Sequence, residues 1–77
     1  MIDYTAEDIQ TCKDAFAERL EELTGEKSSR QWSKENGIPN ATVATWRLKQ
    51  SLPKIEYFIA MAKHFGVSID YLVGLED

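Results

Sequence analysis

Ile9, Cys12, Phe16, Leu20 and Leu23 recur at three- and four-residue steps, the spacing that lines one face of an α-helix. Thr5 precedes this stripe, and Asp8 three residues on completes a capping-box pattern with Asp in place of the usual Glu. Glu7 and Asp8 also suit the positive end of a helix dipole. Gly25 ends the helix, and most of the acids fall on its opposite, solvated face. A short second helix is predicted from Ser28, which forms an S-x-x-Q box with Gln31, to a stop at Gly37. Its one large apolar residue is Trp32, so it must lean on its neighbours. Ile38 and Pro39 make a turn, and Asn40 is expected to cap a third helix that runs to about Leu48. Past Pro53, the residues Ile55, Phe58, Ile59, Ala62 and Phe65 mark a fourth helix ending at Gly66. Ser68 caps a last short helix, with Asp70 in its first turn, Leu72 inward and Gly74 as the stop. Val43 and Val67 stand alone without alternation, so no strand is predicted.

Residues 40–48 reward closer inspection. At about 100° per residue, Asn40, Ala41, Ala44, Thr45 and Leu48 share one arc, Val43 and Trp46 lie opposite, and Thr42 and Arg47 sit at the edges. Val43 and Trp46 read as anchors. The other arc is mostly small, with an amide and a hydroxyl. Such a face suits a close contact with another helix, and equally the floor of a DNA major groove. There Asn can pair with adenine and small methyl-bearing residues can meet the thymine methyl. The layout of a short capped helix, a Gly turn and then this helix favours the groove.

Charge sharpens the picture. The formal net charge is -4, which argues mildly against nucleic acid. Residues 1–26 hold eight acids against Lys13 and Arg19, a balance of -6. Residues 27–54 hold Lys27, Arg30, Lys34, Arg47, Lys49 and Lys54 against Glu35 alone, a balance of +5. Gly37–Pro53 contains no acid at all. A basic centre between acidic flanks is a local field, and local fields steer partners.

The remaining composition mostly excludes. Seventy-seven residues make one small domain, 1–77, near the lower limit for a single core. Cys12 alone forms no internal disulfide and fits a reducing cytosol; its place on the apolar stripe marks it as core. No apolar run is long enough to span a membrane, and the acidic start lacks the parts of a signal peptide. There is no Gly-rich phosphate loop, no Cys or His cluster with metal spacing and no nucleophile–base pair. An enzyme, a cofactor or a bound metal is therefore not expected. His64 is expected near a helix end, exposed or compensating the dipole.

Ser28, Trp32, Gly37-Ile38, Thr42-Val43, Trp46, Pro53 and the run "IAMAKHFGVSIDYLVG" together resemble the phage repressor or Cro-type (XRE, lambda-repressor-like) helix-turn-helix family. The ending Ala62, Lys63, Phe65, Gly66, Val67, Ser68, Ile69, Asp70, Tyr71 and Leu72 matches the family's Ala-Lys-x-apolar-Gly-Val-Ser-apolar-Asp-Tyr-Leu. The pattern lies without a gap from Ser28 to Leu72; helix 1 follows it less closely. The resemblance implies an all-α, compact bundle of about five helices, with the helix-turn-helix at about residues 28–49. It implies a transcriptional regulator, a repressor above all, of the bacterial cytoplasm or phage-encoded. Its partner would be double-stranded operator DNA, an inverted repeat bound by a homodimer that can be weak without DNA. Carried onto this sequence, Asn40, Ala41, Ala44 and Thr45 face bases, and Ser29, Arg30, Thr42, Arg47 and Lys49 lie near the DNA backbone. Four positions depart from the family: Ser29 stands where Gln is frequent, Ser33 where Ala packs, Asn36 where Leu is common, and Pro39 for Ser. The competing expectation is a protein-interaction module, or an antitoxin-like partner, that keeps the fold.

Overall fold

The first helix begins where its capping box closes. Thr5 Oγ1 accepts from the Asp8 amide at 3.0 Å, and Asp8 Oδ2 accepts from the Thr5 amide at 2.8 Å. The computed structural model describes residues 1–76; Asp77, the last residue of the expected domain, lies outside the described residues. Five helices follow in order: α1 (Ala6–Thr24), α2 (Ser29–Asn36), α3 (Asn40–Arg47), α4 (Ile55–Phe65) and α5 (Ile69–Leu72). There is no strand among the described residues. The caps at Ser28 and Ser68 form as expected, each hydroxyl accepting from the amide three residues on. At α2 only this half of the expected box is present. The Gln31 side chain instead lies by the Glu35 carboxylate.

One expected cap is corrected. Asn40 does not cap α3; Pro39 holds the cap position and Asn40 is the first helical residue. Pro39 has φ -56° and ψ 135°, and its carbonyl accepts from the Thr42 and Val43 amides at 3.0 and 3.2 Å. Proline's ring fixes a φ that suits this entry, and the helix starts from its carbonyl without a side-chain cap. The Asn40 side chain is thereby released from capping and is exposed.

The core gathers one face of every helix. Phe16 and Leu20 of α1, Trp32 of α2, Val43 and Trp46 of α3, Phe58 and Met61 of α4 and Leu72 of α5 form a single buried cluster. Phe16 is its hub, with T-shaped contacts to Trp46 at 5.8 Å and Phe58 at 5.3 Å between centroids. Trp46 continues the chain of rings to Tyr57 at 5.6 Å. Edge-to-face pairs of this kind add about 0.5–1.5 kcal/mol each beyond area burial. The stripe of α1 enters the core only in part: Cys12 and Leu23 are half-buried and Ile9 is exposed. At 19 residues α1 is the longest helix, and its first turns reach past the partners that cover Phe16 and Leu20.

Two positions that depart from the resembled pattern are absorbed locally. Ser33 is 4% exposed, and its hydroxyl donates to the Ser29 carbonyl at 2.6 Å, so the extra oxygen is satisfied within α2. Asn36 folds its amide back onto the Trp32 carbonyl at 2.9 Å. At the other end, the Arg19 guanidinium lies 4.4 Å from the Tyr71 ring centroid and docks α5 onto α1. Gly74 (φ +79°) runs so close to α1 that a Cβ there would sit 2.6 Å from that of Ala15.

Candidate nucleic-acid interface

α3 is short, so its orientation is set by its anchors. Val43 and Trp46 are 0% and 1% exposed, which pins that face inward and turns the opposite arc to solvent. Asn40, Ala41 and Leu48 are exposed, while Ala44 and Thr45 are half-buried on its flanks. Ala41 therefore makes no close packing of helices; of the arc expected from the sequence, Asn40, Ala41 and Leu48 are open and Ala44 and Thr45 partly covered. Leu48, on that arc but not expected among the contacts, is 65% exposed at the helix's last turn. The Thr45 hydroxyl is committed: it donates to the Thr42 carbonyl at 2.7 Å and lies 2.8 Å from Ser51 Oγ. Its methyl is the part left for an outside contact.

The expected backbone-facing residues do not form one group. Thr42 lines a groove with the α3–α4 loop that includes Ser51, Pro53 and Lys54. Lys54 thus joins Thr42 on one flank, a placement that only the loop's path reveals. Ser29 is half-buried and Arg30 exposed at the start of α2. Lys49 stands on another side, beside Glu18 and Glu21 of α1, and its carbonyl accepts from Gln10 Nε2 at 3.3 Å. Arg47 is turned into the protein. Its Nη2 donates to Thr24 Oγ1 at 3.1 Å and to the Lys27 carbonyl at 3.3 Å.

The basic centre keeps its formal balance, because Glu35 is already counted in it and Arg47 bonds only neutral acceptors. Lys27 Nζ lies 2.6 Å from Glu35 Oε2. The hydrogen bond from Lys27 holds the Glu35 carboxyl below its ordinary value of 4.5. This pair supports the fold at neutral pH, and its contribution fades as pH falls through that lowered value. Arg30, Lys34, Arg47, Lys49 and Lys54 have no ion-pair partner among the described residues.

Residues 15–77 match the bacteriophage CI repressor helix-turn-helix domain. The chain belongs to this family. The CI repressor helix-turn-helix family is one of DNA-binding regulators, which bears out the resemblance and the all-α fold expected from the sequence. The match begins one residue before Phe16, the core hub, and omits the overhanging first turns of α1. Searches of curated proteins and of solved structures find no match. Among the described residues no group of His, Cys, Asp and Glu is placed to hold a metal, and no helix is long and apolar enough to cross a membrane.

One backbone feature of the domain singles out Lys49. It is the only non-glycine described residue with positive φ, at 62°. Its amide bonds the Trp46 carbonyl and that of Gln50 bonds the Thr45 carbonyl, the paired closure that usually takes glycine. A left-handed lysine costs roughly 1 kcal/mol relative to an unstrained position. Lys49→Gly should therefore raise stability by up to about 1 kcal/mol in urea denaturation. If Lys49 meets phosphate, the same variant should bind DNA more weakly. A variant that gains stability and keeps full affinity would remove Lys49 from the interface.

Proposed function

We propose that this domain is a sequence-specific DNA-binding transcriptional repressor whose α3 enters the major groove. The observation that carries the reading is the outward arc of α3, open and small at Asn40 and Ala41, free of carboxylates and held outward by Val43 and Trp46. A major groove about 12 Å wide admits a helix whose leading face is not bulky. On this reading Asn40 and Ala41 meet base edges, with Ala44 and the Thr45 methyl beside them and Leu48 adding an apolar contact at the end of the helix. Ser29, Arg30, Thr42, Lys49 and Lys54 face the two phosphate rows. None of the base-facing residues is Arg or Lys, the usual partners of guanine, so the half-site leans to A·T. Two copies bind an inverted repeat as a homodimer whose reading helices lie about one DNA turn, roughly 34 Å, apart. The exposed Leu75, with Ile69 and Val73 half-buried near it in sequence, supplies apolar surface for that pairing.

Salt titration tests the reading. Each phosphate neutralised releases condensed counterions, so affinity should fall with salt at a log–log slope of roughly -3 to -5. Arg30→Ala should weaken binding to all sequences about equally and reduce the slope by about one. A slope near zero would contradict DNA binding and favour a protein partner.

A further inference from the structure

We infer that Arg47 is a positioning residue, a clamp from the recognition helix to the entry of α2, and not a phosphate ligand. The inference rests on the DNA-binding reading above.

Three features converge on it. First, Arg47 leaves the last turn of α3 and reaches Thr24, the last residue of α1, and Lys27, the residue before the α2 cap. Its Nε is buried without a hydrogen-bond partner among the described residues, so the hold comes from Nη2 alone, whose acceptors are themselves held in place. Thr24 is 8% exposed and its hydroxyl donates to the Leu20 carbonyl at 2.8 Å. Lys27 is tied through its side chain to Glu35 on α2. Second, α1 has no basic residue in its last turn, where Glu21 and Glu22 add negative charge to the negative end of the helix dipole. Arg47 brings a cation to that end from another helix. Third, the chain passes from Lys27 directly to Ser28, Ser29 and Arg30. Fixing the Lys27 carbonyl fixes the Ser28 cap, and so the place from which Arg30 reaches out. Both bonds come from one nitrogen, Nη2, whose two N–H groups are fixed in the guanidinium plane, whereas an ammonium turns freely on a flexible stem.

The phosphate role and the clamp role make opposite forecasts. Binding of a random-sequence DNA duplex would be measured against salt for Arg47→Lys, Arg47→Ala and Thr24→Val, at a temperature where circular dichroism shows each folded. Arg30→Ala is the control. For a clamp, Arg47→Lys should fail to rescue. It should lose about tenfold in affinity, as should Thr24→Val, because each breaks part of a charge-assisted pair of hydrogen bonds. The lost affinity is the cost of ordering the α2 entry on binding, with Arg30 still reaching its phosphate in the complex, so the salt slope should stay at the parental value in both. Hydrogen exchange at the Gln31 and Trp32 amides, which bond to Ser28, should quicken in both variants while core amides of α4 do not, a local signature that general destabilisation lacks. If Arg47→Ala fails to fold, the other two variants still decide. The inference is overturned if Arg47→Lys binds like the parent, or if loss of Arg47 lowers the slope by about one. It is also overturned if the Gln31 and Trp32 amides are unchanged. Should the parent and Arg30→Ala show no salt-dependent binding at all, the DNA reading fails, and the exchange data alone then judge the clamp.

Discussion

Trp46→Ala should remove most of the protein's stability at 25 °C. Trp46 is 1% exposed and sits between Phe16 of α1 and Tyr57 of α4, with edge contacts to both rings. Removing a buried indole costs about 3–5 kcal/mol, from lost transfer energy and from the cavity left behind. A small domain has only about 5–15 kcal/mol in all, and one of this size stands at the low end. The ring is also the main anchor of α3, so its loss frees the helix that carries the open arc. Urea denaturation followed by circular dichroism measures the change. A variant that melts like the parent and loses only DNA binding would mean that Trp46 is a surface contact, and the orientation of α3 would be wrong.

Asn40→Asp should keep the fold near parental stability and bind DNA at least about tenfold more weakly. Asn40 is exposed at the first position of α3, and Pro39 carries the cap. An Asp there sits favourably at the positive end of the helix dipole, so folding does not suffer. Binding suffers twice: the amide donor that adenine needs is gone, and a negative charge faces the phosphates. Because Asn40 caps nothing, Asn40→Ala is a clean second probe that removes the contact without adding charge. Thermal melting beside titration of a duplex tests both. Parental affinity in Asn40→Asp would take α3 out of the groove.

The helix ends that the sequence disclosed are those with local causes. Thr5 with Asp8, Ser28 with Gln31 and Ser68 with Tyr71 are bonds over three residues, and Gly25, Gly37 and Gly66 close helices from within the next turn. The arc of α3 was legible for the same reason, since helical spacing alone separates Val43 and Trp46 from Asn40 and Ala41. What stayed hidden depends on distant residues. Arg47 bonds residues 23 and 20 positions away, and nothing near it in the chain announces that its guanidinium is tied to the end of α1 and the entry of α2. Phe16 as the partner of Trp46 is likewise a matter of how α1 crosses α3. Ile9 continues the stripe of α1 in sequence and leaves the core in space because nothing extends far enough to cover it. At Asn40 the pattern misled in a narrower way: its residue type suits a cap, but the proline before it already starts the helix.

Selection of bound duplexes from a random pool tests most directly whether the open face of α3 reads DNA. The expected result is an inverted repeat of A·T-leaning half-sites whose centres lie about one helical turn apart. A pool that returns guanine-rich half-sites, or no enriched sequence at all, would contradict it.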